Sequence, residues 1–227
     1  MIFRKLFGIF EIGALLLAIA AVSLANTVAA GDAAKPAQNR PVTQGLPPAG
    51  IYKVDPDHTF AYFGARHHVV GLVRGRFDKV TGTLTVSPDP AACSVDITID
   101  VSSISTQVPE RDEDLRGPAY FDVKKFPTMT YQGRGIRRSS ENSWTMDGSL
   151  TLHGVTKVVP LTFNFNGPFS DIKPGKPARM AFHATAAVKR ADFGMGARDN
   201  LGELGTLTTP DVDIEIDVEA DANAPGQ

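Results

Sequence analysis

The feature that most constrains this chain is a two-residue alternation of apolar and polar side chains, repeated along much of its length. The last repeat places acidic residues between four aliphatic ones, Val212, Ile214, Ile216 and Val218. Because successive side chains of a β-strand point to opposite faces, this pattern predicts a strand with one buried face and one face in water. A solvated strand face therefore explains the acidic residues better than an acidic interaction tail does.

The alternation predicts eight strands, at about 57–69, 73–87, 94–106, 127–138, 143–153, 156–167, 178–190 and 210–220. Helical propensity is concentrated between the third and fourth of them, where Pro109 and nearby acidic residues suit a helix start. Mostly antiparallel strands joined by short turns are typical of an up-and-down barrel. The prediction is an all-β fold, an eight-stranded antiparallel barrel with one short helical segment between strands 3 and 4.

Composition excludes several functions. The 227-residue chain has a formal net charge of −2, so it lacks the basic surplus that a nucleic-acid partner requires. A single cysteine, Cys93, excludes an internal disulfide and a cysteine-cluster metal site. The sequence contains no nucleophile elbow, HExxH or phosphate loop, and adjacent His67 and His68 face opposite sides of a strand. We expect no enzyme activity, no metal and no cofactor.

The first thirty residues have the layout of a secretory signal. Arg4 and Lys5 precede an apolar run, and small residues up to Ala30 offer cleavage sites. The alternative is a membrane anchor, because the uncharged stretch 12–31 is 20 residues long. The small residues at its end favour cleavage, so we expect export and no stable membrane insertion after signal cleavage.

The rest of the chain divides into three parts. Residues 31–50 contain four prolines and no apolar periodicity, which predicts a flexible linker. The barrel domain is predicted to span 51–220, followed by a tail at 221–227.

The predicted inner face mixes aromatic side chains with small ones. Ala61, Ala65, Ala184, Ala186 and Gly148 share it with phenylalanines. The interior of an eight-stranded barrel is just wide enough to be packed solid or to hold one small ligand. The space beside the small residues must be filled by larger neighbours or by an apolar guest.

Two polar features have competing explanations. Arg111 and Asp112 open the helical segment, where they could form a helix-start ion pair or close a barrel mouth and orient a ligand head group. His67 ends the apolar row of the first predicted strand, where it could cap a cavity or be a hydrogen-bonded structural histidine.

Four motifs in order resemble the YceI-like family. They are DPDHT at 55–59, RDEDLR at 111–116 with YFDVKKFP at 120–127, GSLTLHGVTK at 148–157, and RADFG at 190–194. The resemblance covers nearly all of the predicted domain. It implies a bacterial, mostly periplasmic protein, a lipocalin-like barrel that holds an isoprenoid or other amphiphilic chain and has no established catalytic activity.

The resemblance and the alternation together give an expected ligand site. The chain of a polyisoprenoid or fatty ligand would be held by inner-face residues, namely Ala61, Phe63, Ala65, Val95, Ile97, Ile99, Tyr131, Leu152, Phe163, Phe165, Phe182, Ala184 and Val188. The mouth or head-group end would be formed by His67, Arg111, Asp112 and Arg190. A bound isoprenoid lipid is the one non-protein group expected, and the sequence is compatible with a homodimer.

Two other functions remain open at this stage. An enzyme acting on an isoprenoid head group would need an acid–base pair, for which Asp112 and His67 are the candidates. A ligand-free barrel could instead act through its surface as a stress-related interaction protein. A cavity too narrow for a hydrocarbon chain would favour that last alternative.

Overall fold

The computed structural model describes residues 45–67, 71–169, 177–195 and 211–223. The predicted signal at 1–30 and the linker up to residue 44 lie outside these ranges. Within them, no helix combines the length and the apolar character that crossing a membrane requires.

The described residues form twelve strands and one α-helix. The strands are β1 (Gly50–Val54), β2 (Phe60–His67), β3 (Gly71–Phe77), β4 (Val80–Val86), β5 (Ser94–Asp100), β6 (Ile104–Ser105), β7 (Thr128–Arg134), β8 (Arg137–Arg138), β9 (Trp144–Leu152), β10 (Val155–Phe169), β11 (Arg179–Lys189) and β12 (Asp211–Ala222). The helix, α1, spans Pro109–Arg116, between β6 and β7.

Antiparallel pairing closes the sheet into a barrel. The hydrogen-bonded order β1-β4-β5-β7-β9-β10-β11-β12 returns to its start because β12 also pairs with β1. Strand β2 pairs with β12 along the same edge as β1. Strand β3 pairs with β2, and β6 pairs with β3. The predicted eight-stranded antiparallel barrel with one short helix is confirmed.

Three predicted strands are each interrupted once, and one of them, 127–138, is divided into β7 and β8 at Gly135 and Ile136. The predicted strand 73–87 is divided into β3 and β4 at Asp78 and Lys79, and the strand 94–106 is divided into β5 and β6 by a 3-10 turn at Val101–Ser103. The Asp100 carboxylate accepts a hydrogen bond from the Ser102 backbone N–H in that turn. Polar side chains thus provide hydrogen-bond partners for backbone groups that are not paired with a neighbouring strand.

The structure also extends the domain at both ends. Strand β1 begins at Gly50, inside the predicted linker, and β12 continues to Ala222, inside the predicted tail. The two extensions support each other, because Tyr52 of β1 pairs with Ala222 of β12. Such long-range pairing leaves no local pattern in a segment as short as β1.

The DPDHT motif forms the corner between β1 and β2. The Asp55 N–H donates to the Glu219 carbonyl at 2.9 Å. The Thr59 hydroxyl donates to the same carbonyl and accepts from the Glu219 N–H, both at 3.2 Å. The corner is therefore attached to β12 where the regular ladder is broken, which keeps the barrel closed.

Arg179 anchors an ionic network at this corner. Its guanidinium lies 2.8 Å from an Asp55 carboxylate oxygen, 2.7 Å from Glu219 and 2.8 Å from Asp221. Burial alone would raise the pKa of Asp55, but hydrogen bonds from His58 and the Asp57 N–H and the Arg179 charge hold it below its usual range. The pKa of the Arg179 guanidinium is raised, and the largest cause is its hydrogen bond to Asp221.

The network predicts a pH-dependent stability. Because the pKa of Asp55 is lower in the folded than in the unfolded chain, its contribution is present above its ordinary value of 3.8 and lost as the pH falls below it. We expect Asp55→Asn to lower the free energy of unfolding by about 1 kcal/mol at neutral pH, and by less at about pH 3. Urea unfolding at both pH values measures this difference, with the exposed neighbour Asp57→Asn as control. A cost for Asp55→Asn that is equal at both pH values would contradict the assignment.

Candidate functional site

A cavity of about 350 Å³ lies inside the barrel. Its wall is built mostly by the apolar alternate residues of the strands, and α1 with the segment that follows it contributes at one end. Ligand pockets are typically about 300–1,000 Å³ and mostly apolar. The interior is therefore hollow rather than packed solid, and its volume is sufficient for a small apolar guest.

The structure brings ten of the thirteen predicted lining residues together on the cavity wall. They are Ala61, Phe63, Ala65, Val95, Ile97, Ile99, Tyr131, Leu152, Phe182 and Val188. Phe163 and Phe165 instead line a second cavity of about 60 Å³. Ala184 is fully buried but does not appear on either wall. Alternation correctly identified the inner face of β11, but Ala184 lies at a level of the barrel where neighbouring side chains fill the space.

The sequence prediction omitted several residues of the wall. Val212, Ile214 and Ile216 of β12 line the cavity, and their alternation is as clear as that of the strands that were included. Leu115, with Tyr120 and Phe121, closes the helical end. The helix sequence PERDEDLR is almost entirely charged, so it carries no apolar periodicity that could have indicated a cavity-facing side.

Polar side chains gather at one end of the cavity. His67 ends β2, Arg190 follows β11, and Arg111 and Asp114 project from α1. Arg111 donates from Nε to the Thr106 hydroxyl at 2.8 Å and from Nη2 to the Thr106 carbonyl at 3.0 Å. The structure thus places three of the four predicted mouth residues, His67, Arg111 and Arg190, on the wall, and adds Asp114.

Asp112 is the fourth predicted mouth residue, and the structure places it elsewhere. Its buried carboxylate accepts hydrogen bonds from the Thr106 N–H at 2.8 Å and from the Thr106 hydroxyl. Asp112 does not appear among the residues described on the cavity wall. Arg111 and Asp112 both hydrogen-bond with Thr106, but successive helical residues are about 100° apart, and only Arg111 also lines the cavity. The role of Asp112 is to hold the start of α1 against the strand segment before it.

A second arginine fixes the other end of α1. Arg116 donates from Nε to the Ser102 carbonyl at 2.9 Å and from Nη2 to the Ile104 carbonyl at 2.8 Å. Hydrogen bonds from a charged donor contribute about 1.5–3 kcal/mol each. The helix is thus held to the barrel at both ends, and its cavity-facing residues have a defined position.

Tyr131 is the one predicted lining residue with a polar group in the middle of the wall. Its hydroxyl donates to the Val159 carbonyl at 2.9 Å. Burial, more than the Asp147 charge, raises the pKa of the phenol, so Tyr131 is neutral at physiological pH. The hydroxyl thus links β7 to β10 by a hydrogen bond, and the ring presents apolar surface to the cavity.

Outside the cavity, Asp55, His58 and Glu219 place one potential metal-ligand atom each within 4.8 Å of one another. All three are already paired, because Arg179 contacts both carboxylates and His58 Nδ1 lies 2.8 Å from Asp55. We assign this group to the ionic network of the corner.

A closed barrel with an apolar cavity and polar groups at one end has the architecture of a barrel that binds small molecules. The family model described as "YceI-like domain" matches residues 52–220. A UPF0312 protein of Yersinia pestis (strain Pestoides F) is 33% identical over 156 residues, which cover 67% of this chain and 80% of that relative. The chain belongs to the YceI-like family.

Solved structures have the same fold. The Campylobacter jejuni YceI protein is 26% identical with a TM-score of 0.59, covering 68% of this chain and 88% of its own. Burkholderia cenocepacia BcnA is 23% identical with a TM-score of 0.60, covering 73% and 98%. A polyisoprenoid-binding domain from Saccharophagus degradans, described as implicated in plant cell wall breakdown, is 19% identical with a TM-score of 0.58, covering 76% and 98%.

Proposed function

We propose that this protein binds a polyisoprenoid or similar amphiphilic lipid, with the chain in the barrel cavity and the head group at the polar end. The observation that carries the proposal is the asymmetry of the cavity. Its walls are apolar over most of their length, and His67, Arg111, Asp114 and Arg190 meet at one end. An amphiphile is divided in the same way, into an apolar chain and a polar head group.

The physical basis of binding is burial of hydrocarbon. Each methylene group removed from water contributes about 0.8 kcal/mol. A chain of many carbons can therefore be held with few directional contacts, and the polar end mainly sets its orientation. The fold neighbour from Saccharophagus degradans, described as a polyisoprenoid-binding domain, supports the same ligand class.

Binding rather than catalysis is the role that the geometry favours. The acid–base pair considered from the sequence was Asp112 with His67. The Asp112 carboxylate is buried and hydrogen-bonded to Thr106, while His67 is exposed on the cavity wall. General acid–base catalysis needs groups that can reach the substrate. The Asp112 carboxylate is instead used to hold α1 in place through Thr106.

We further propose that the protein works in the periplasm after export, as a carrier, store or sequestering protein. The support is the signal-like layout of residues 1–30, which precedes the barrel domain in the sequence.

Calorimetric titration of the lipid-stripped domain with farnesol tests the proposal. We expect saturable binding with one site and a negative heat-capacity change, because burial of apolar surface on binding has that signature. Mass spectrometry of the recovered alcohol should find it unchanged. Absence of saturable binding would contradict the lipid proposal, and conversion of the alcohol would favour the enzyme alternative.

A further inference from the structure

The two cavities are stacked along the barrel. On β11 the wall of the smaller cavity includes Met180, both walls include Phe182, and the larger cavity continues with Ala186 and Val188. The small cavity is thus at the start of this strand, and the polar end of the large cavity is beyond its last residue, at Arg190.

Two other strands have the same order. On β10, Val159 lines the larger cavity, Leu161 lines both, and Phe163 lines the smaller. On β5, Ile97 lines the larger cavity and Val95 lines both. Side chains that contribute to both walls must lie between the two spaces. Val95, Leu161 and Phe182 are therefore the partition between the cavities.

Phe182 is the largest side chain of this partition. Its ring packs edge-on against Phe163, with the ring centroids 6.0 Å apart, and against Phe165 at 6.3 Å. Phe163 and Phe165 are buried and line the smaller cavity, so they support the ring of Phe182 from below. The ring is held in place rather than free to turn aside.

We propose that Phe182, with Val95 and Leu161, forms the floor of the binding cavity and sets the longest hydrocarbon chain that it accepts. This inference rests on the proposed function and adds its chain-length specificity. A chain that enters from the polar end meets the partition before it can reach the smaller cavity. Carbons beyond that length stay in water and add no affinity.

Calorimetric titration with geraniol, farnesol, geranylgeraniol and geranylfarnesol tests the floor. In the wild type, affinity should rise along the series and stop rising at one member. In Phe182→Ala the two cavities join, and the next longer alcohol should gain at least about tenfold in affinity. Ile136→Ala is the control, because Ile136 lines the smaller cavity alone and takes no part in the ring packing that holds Phe182, so its length limit should be unchanged.

Each outcome has a distinct meaning. An identical length limit in Phe182→Ala and the wild type would overturn the floor and leave lipid binding intact, whereas a wild type that binds none of the alcohols would overturn the proposed function itself. If thermal melting finds Phe182→Ala unfolded, Leu161→Ala opens the same partition with a smaller deletion. An unchanged limit there would equally overturn the inference.

Cys93 provides an independent readout of where the chain ends. It is the single cysteine of the sequence, is buried, and lines the smaller cavity. Geranylgeraniol should slow its reaction with methyl methanethiosulfonate severalfold in Phe182→Ala and leave the rate unchanged in the wild type. Protection in the wild type would mean that the chain already passes the partition, which would overturn the floor.

Discussion

Replacing Ala186 by tryptophan is expected to lower the affinity for farnesol by about 100-fold. Ala186 lines the large cavity from β11, so a tryptophan there would occupy volume that the ligand chain needs. Displacing about four methylene groups costs about 3 kcal/mol at 0.8 kcal/mol each, and this energy corresponds to a loss of affinity of about 100-fold. Because the ring enters an existing hollow, the cost of overpacking should be small and the barrel should remain folded.

The neighbouring residue offers a matched control for this variant. Ala187 is exposed, on the outer face of the same strand. Ala187→Trp adds the same side chain one position away and should leave the affinity for farnesol unchanged. Equal losses of affinity in the two variants, or none in either, would show that the ligand does not use the cavity.

Replacing Gly148 by alanine is expected to destabilise the barrel by about 3 kcal/mol. A Cβ atom at this position would overlap the ring and the hydroxyl of Tyr131, which is buried and hydrogen-bonded to the Val159 carbonyl. The ring cannot move away without breaking that bond. For a protein of this size, we expect the melting temperature to fall by roughly 6–12 °C.

Two further variants separate this clash from a general effect of the substitution. Ser149→Ala changes the next residue, which is exposed, and should shift the melting temperature little. In a Tyr131→Leu background the clash is absent, so Gly148→Ala should cost much less there than in the wild type. Additive costs of the two changes would refute the packing assignment.

The barrel could be predicted from alternation, because burial of one strand face leaves a period of two in the sequence. Alternation identifies the face of a strand but not the level of the barrel that a residue occupies. Ala184 and Ala186 share a face, yet one is packed among its neighbours and the other lines the cavity. Gly148 likewise was expected to leave space for a guest, and the Tyr131 ring fills that space.

The remaining differences arise from long-range contacts. Strand β1 is five residues long, and Tyr52 and Val54 are too few to form a periodic signal. Its partners β4 and β12 are distant in sequence, so the pairing has no local trace. Asp112 was assigned to the mouth because it adjoins Arg111, but the hydrogen bonds from Thr106 that engage it are a property of the folded helix.

The most direct test of the central claim is the lipid content of the protein itself. The domain should be produced in the periplasm of its host, purified without detergent and extracted for mass spectrometry. We predict that an isoprenoid or similar amphiphile is recovered in near-stoichiometric amount from the wild type and is depleted in the Ala186→Trp variant. Recovery of no lipid from the wild type, or of equal amounts from both proteins, would contradict the assignment of the barrel cavity as a lipid-binding site.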